Sequence, residues 1–252
     1  WIVNVGDLKF HEVPLTYFLA LAYDYEKWGA DNKNSYREYT ALWTEKNFAG
    51  VSKELQEKIG KVLTDYIDMN HLRRPESLNP GIYHACENLE ADKMLAKAET
   101  LEALSQKVYE ALDGSDKEAY YSMIHFSAMA SMNLLKMHLY AGKNAFYAKQ
   151  GKPIANKYGQ LVKECIAKDR EYYDAFGAFK DGKWNGMQMA QHIGFTKWNE
   201  DDYRYPLIVS VEPAHKPRLK VSRKDAFFTA GKNYGAPMKL VVDDFLSAGN
   251  TE

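Results

Sequence analysis

The chain has 252 residues, 46 % of them hydrophobic, which is enough to bury a real core and argues against disorder. Its 33 basic and 34 acidic residues are interspersed and leave a formal charge of -1, so neither nucleic acid nor an anionic membrane is an expected partner. No apolar run approaches the about 18 to 20 residues that a membrane span requires, and no basic-then-apolar leader opens the chain. Cys86 and Cys165 are far apart and have no metal-ligand spacing, so they read as buried structural thiols.

Trp1 to Val5 is a short β-branched apolar run that stops at Gly6 and Asp7. A lone strand is unstable, so the sequence predicts a sheet partner outside this chain. Pro14 sits where a helix can start, and Leu15, Phe18, Leu19, Ala22 and Tyr23 follow at helical spacing to Trp28. A second pattern carries Tyr36, Tyr39, Trp43 and Phe48 from about Asn32 to Gly50. Ser52 is a suitable N-cap for a third, with Leu55, Ile59, Val62, Leu63 and Tyr66, which ends near Arg73, Arg74 and Pro75. The fourth is expected from about Glu87 to Leu112. Ser115 and Glu118 have capping-box spacing ahead of a long fifth with Met123, Phe126, Ala130, Leu134 and Met137, and a sixth follows Pro153 to about Phe179.

Successive helical patterns with short connections predict a mainly α, antiparallel multi-helix bundle. Beyond Lys180 both periods vanish until Pro206, and a structureless stretch of that length is expected to be functional or wrapped over another surface. Strand-like runs at 207–211, 218–223 and 238–242 then predict the start of a β-rich domain that continues past the chain. The expected organisation is therefore 1–12 as the last strand and loop of a barrel, 13–204 as the bundle with its wrapping loop, and 205–252 as a truncated β domain.

The chemistry on offer is narrow. There is no His-Glu-x-x-His, no paired Glu-x-x-His, no Cys-x-x-Cys and no glycine-rich phosphate loop, so no metal or other cofactor is expected. His125 and His138 lie inside the fifth helix and read as core or surface residues. Aromatic stripes at helical spacing read as core before they read as sugar platforms. Two places stand out. Asp7 follows a strand and a glycine, the position from which barrel enzymes project catalytic groups at the carboxyl ends of their strands, although a turn or capping role fits the same spacing. Lys180 to Asn199, with Trp184, Trp198, His192 and several amides, suits a polar ligand or a loop packed on the bundle.

Several segments, in order, carry a resemblance. These are Asn4, Val5, Gly6, Asp7, Leu8 and Lys9; Trp28 to Asn32 leading to Tyr36; and Asn70 with Arg73, Arg74, Pro75 and Glu76. Further on come Ala141 to Asn144 with Tyr147, Gln150 and Gly151, then Gly182 to Asn185 running to His192, Ile193, Gly194 and Trp198. Over roughly residues 1 to 200 the chain resembles the glycoside hydrolase family 115 xylan α-glucuronidases. It departs from their pattern where Phe10 replaces a common Pro and where Gly186 and Phe195 replace bulkier polar or hydroxylated residues.

The resemblance implies a (β/α)8 catalytic barrel, a helical bundle and a β-sandwich-like domain in a multidomain protein, which is secreted or periplasmic. It implies release of glucuronic acid or its 4-O-methyl ether, α-1,2-linked in glucuronoxylan or aldouronic oligosaccharides, with inversion, and leaves room for a homodimer. Asp7 is then the catalytic carboxylate, and Asn4, Tyr36 and Asn70 are substrate-binding residues. The other catalytic groups would lie outside this chain, so residues 1–252 alone are expected to be inactive. The alternative is a non-catalytic helical carbohydrate-binding or interaction module.

Overall fold

The computed structural model describes residues 2–5, 9–29, 31–187, 193–194 and 204–213, together with the backbone of 221–222 and 229–230. Among these residues the chain is mainly α. The helices are α1 (Glu12–Tyr23), α2 (Tyr25–Trp28), α3 (Ser35–Asn47), α4 (Lys53–Leu72), α5 (Glu90–Ala111), α6 (Gly114–Tyr120), α7 (Phe126–Lys149) and α8 (Ile154–Ala178). α2 is a single turn; the other seven build the bundle. A five-residue π-turn, Tyr121–His125, joins α6 to α7 without a break.

The local chemistry explains most of the boundaries. Pro14 occupies the first turn of α1, where a missing N–H costs nothing. The expected first helix is interrupted at Asp24, whose side chain accepts from the Lys27 N–H and so caps α2 instead. Ser52 caps α4 by accepting from the Leu55 N–H at 3.3 Å. The expected start at Glu87 shifts to Glu90 because Asn88 and Leu89 adopt left-handed dihedrals, which a helix cannot continue through. The expected capping box is not used: α6 begins one residue before Ser115, with Asp113 in the cap position, and Ser115 lies inside the helix.

α3 packs on α4, α4 on α5, α5 on α7, and α7 most extensively on α8. The four-residue hinge from Gln150 to Pro153 and the short link between α3 and α4 force those neighbours to run antiparallel. The main core joins Trp43, Phe48, Ile59, Val62, Leu101, Val108, Tyr120, Ile124 and Met132. Each buried side chain of this size contributes roughly 1.5–3 kcal/mol, which is why the bundle forms although each helix alone is marginal. A second cluster between α7 and α8 holds Met137, Ala141, Val162 and Cys165.

The β expectations fare differently. Residues 2–5 are irregular and exposed, Ile2 almost fully, and do not form a strand. Segment 207–211 is likewise not a strand. It lies along α7 and α8, where two asparagines pair with its backbone as a neighbouring strand would. Asn144 donates to the Val209 carbonyl at 2.9 Å and accepts from its N–H at 2.8 Å; Asn156 does the same for Val211 at 2.8 Å in both directions. Gly159 makes room, since a β-carbon there would lie 2.7 Å from Ile208. Within 218–223, Val221–Ser222 pairs antiparallel with Thr229–Ala230. The run 238–242 lies outside the described residues.

Candidate substrate site

Asp7 also lies outside the described residues, and Asn4 sits in the exposed segment 2–5. The other two sequence candidates are placed in detail. Tyr36 lies in the first turn of α3, and its hydroxyl donates to Asp68 Oδ1 on α4 at 2.6 Å. Arg37 donates from Nη2 to Asp68 Oδ2 at 2.6 Å, so one carboxylate receives both neighbours of the α3 N-terminal turn. Partial burial alone would raise the Asp68 pKa, but the bonds from Tyr36 and Arg37 outweigh it and hold the carboxyl below its usual value. The Tyr36 phenol is raised, by burial first and then by the Asp68 carboxylate it donates to.

Asp68 borders a groove of about 390 Å³ between α4 and α5 that also touches Asp65, Leu72, Lys97 and Thr100. Arg37 borders a second groove of about 390 Å³ between α3 and α4, with Thr40, Glu45, Gln56, Glu57 and Thr64. The Tyr36–Asp68–Arg37 unit therefore forms the ridge between two polar-edged grooves, each within the size range of small-ligand sites. A guanidinium, a carboxylate and a phenol offer donors and an acceptor for sugar hydroxyls.

Asn70 faces elsewhere. It is two residues beyond Asp68, about 200° around the axis of α4, and it hydrogen-bonds the Tyr66 hydroxyl, which also bonds Ser131 of α7. The space beside it, bordered by Arg73, Tyr83 and Met132, is about 10 Å³. That is the limit for one water and far too small for a sugar. Tyr36 and Asn70 are thus not brought to one surface of α4.

Residues Ala141 to Gln150 of the resemblance prove to organise the connection between α4 and α5. Lys143 is 2 % exposed; it donates to the Ala85 carbonyl at 2.9 Å and pairs with Asp92 at 2.9 Å. Gly142 lets the Pro80 carbonyl pass where a β-carbon would stand 2.3 Å away. The Tyr147 hydroxyl meets the Cys86 sulfur at 3.2 Å, and burial followed by that contact raises the phenol strongly. Asp68 and Arg37 are the residues that sequence reasoning passed over: charged surface positions are common, and their meeting depends on α3 packing against α4.

Among the described residues no group of three or more His, Cys, Asp and Glu could hold a metal ion, and no helix is long and apolar enough to cross a membrane. A comparison with curated proteins finds no match. The segment that carries Asn4, Asp7, Tyr36, Asp68 and Asn70 is the one that a family model recognises: residues 1–77 match the model of glycosyl hydrolase family 115.

Proposed function

We propose that the chain is part of an inverting xylan α-1,2-glucuronidase that releases glucuronic acid or its 4-O-methyl ether from glucuronoxylan or aldouronic oligosaccharides, outside the cell or in the periplasm. The observation that carries this reading is the family match over residues 1–77, which includes every candidate site residue. In this reading residues 1–12 supply the last strand and loop of a catalytic barrel, and 205–252 begin a β domain. Inversion needs two carboxyl groups roughly 6.5–9.5 Å apart, so that a water fits between base and sugar. Asp7 is the base that activates this water or a neighbour that positions it, and its acid partner lies in sequence outside this chain. Tyr36 and Asp68 on their ridge, with Asn4, contact the sugar. Asn70 holds Tyr66 in the present arrangement and reaches substrate only if that bond is exchanged.

The test is kcat of the intact enzyme carrying Asp7→Asn on an aldouronic oligosaccharide, with folding checked by circular dichroism. The amide keeps shape and polarity but cannot accept the proton, so loss of a general base lowers the rate about 10²- to 10⁴-fold. A well-folded variant that loses less than about tenfold assigns Asp7 to structure. A second reading, a non-catalytic helical carbohydrate-binding or interaction module, is favoured by the mainly helical body and its ridge between two grooves. Xylan binding by the intact protein without any release of glucuronic acid would select it.

A further inference from the structure

Asn185 and Gly186 form an Asn-Gly step in an exposed turn after α8; Asn185 ends the stretch Gly182 to Asn185 that the resemblance singles out, and Gly186 departs from that pattern. We infer that this step is a site of spontaneous deamidation, a covalent modification in which the Gly186 nitrogen attacks the Asn185 side-chain amide. Three observations converge on it. Both residues are exposed, so water and base reach them. Gly186 has φ of 92°, a region that glycine enters without cost, and it carries no β-carbon to shield its nitrogen. The backbone hydrogen bonds of the turn also skip that nitrogen. Asn185 donates to the Gly182 carbonyl at 3.0 Å and Met187 to the Trp184 carbonyl at 2.9 Å, while among the described residues the Gly186 N–H donates to no backbone carbonyl.

The reaction balances without any redox partner. The Gly186 amide loses its proton to hydroxide and its nitrogen bonds to Asn185 Cγ. The tetrahedral adduct expels ammonia and leaves a five-membered succinimide. Water then opens the ring at one carbonyl or the other, giving aspartate or isoaspartate, so that an amide and water become a carboxylate and ammonium. Two Asp-Gly steps could form the same ring. At Asp181–Gly182, however, the glycine N–H is held by the Ala178 carbonyl at 3.2 Å. The product carboxylate would appear beside Gly177 in the last turn of α8, close to the negative end of that helix.

The experiment ages the purified 252-residue chain at pH 8.5 and at pH 5 and digests it with trypsin. The peptide from Trp184 to Lys197 is then followed by mass and by isoaspartyl-methyltransferase labelling. Expected is a gain of one mass unit with methyl-accepting isoaspartate, faster at high pH and at a rate close to that of the same peptide free in solution. Gly186→Ala, which shields the nitrogen, should slow it by about tenfold or more, the effect of a modest rise in barrier. Because alanine is strained at this φ, Asn185→Gln is the second variant: its longer side chain closes the ring far more slowly, and its peptide should stay unchanged. An unmodified peptide in the folded chain while the free peptide deamidates would overturn the inference, as would equal rates in parent and both variants.

Discussion

Phe10 has φ of 69°, a conformation that costs a non-glycine residue roughly 1–2 kcal/mol and that proline, locked near −65°, cannot adopt. The cost is offset by packing: its ring meets Phe176 edge-on at 5.0 Å and Trp184 at 5.1 Å, tying the entry of the chain to the end of α8. Phe10→Leu should therefore lose less than about 1.5 kcal/mol. Phe10→Pro, which forfeits both the turn and the rings, should lose at least about 3 kcal/mol in urea unfolding. Equal losses for the two would show that the turn contributes nothing.

The buried histidines give a second residue-scale prediction. Burial lowers His125 and His138 from 6.5 to about 4; for His125 a hydrogen bond to the Ser105 backbone partly compensates, and the ring also lies with its Nδ1 2.9 Å from the Ser105 hydroxyl and stacks on Tyr109. The folded state then binds fewer protons than the unfolded chain between these values. Stability is thus full above about pH 6.5 and is lost as pH falls toward 4, on the order of a few kcal/mol for each histidine. Melting temperature recorded from pH 7 to 4.5 should decline accordingly. His138 Nδ1 is buried without a hydrogen-bond partner among the described residues, so His138→Leu should be neutral or stabilising at pH 7 and flatten the decline. An unchanged slope in that variant would place the acid sensitivity elsewhere.

At the scale of elements, the pairing of segment 204–213 with α7 and α8 rests on Asn144 and Asn156 unequally. Asn144 is fully buried and bonds the Ala155 carbonyl at 2.8 Å as well as both backbone groups of Val209. Asn144→Ala strands these partners, each worth about 1–3 kcal/mol when buried and unpaired. It should free the segment, seen as faster tryptic cleavage at Arg204 and faster amide exchange at Val209. Asn156 is exposed, so water replaces it, and Asn156→Ala should cost about 1 kcal/mol or less with little change in cleavage. If both variants behave alike, the strapping contact is apolar, through Ile208 and Gly159.

At the scale of the whole molecule, the proposed chemistry needs two carboxyl groups across one sugar, and this chain offers Asp7 as the candidate for one. Purified residues 1–252 should therefore show no release of glucuronic acid from glucuronoxylan by product chromatography, whereas the intact enzyme should. Turnover by the chain alone would require a complete acid and base among its own residues and would overturn the assignment of the acid partner to sequence outside it.

The helices of the bundle were legible because apolar spacing and the Ser52 and Pro153 signals act within one or two turns of chain. Tyr36, Asp68 and Arg37 show the limit of such reading. Tyr36 was found only through the resemblance, and Asp68, 32 residues away, acquires its role when α3 meets α4. Likewise 207–211 has the composition of a strand, yet its backbone groups found side-chain amides on α7 and α8 before any sheet. Local sequence thus determined which segments coil, because helix hydrogen bonds close within four residues. The tertiary structure alone decided which polar groups meet, because those bonds join residues that only packing brings within 3 Å.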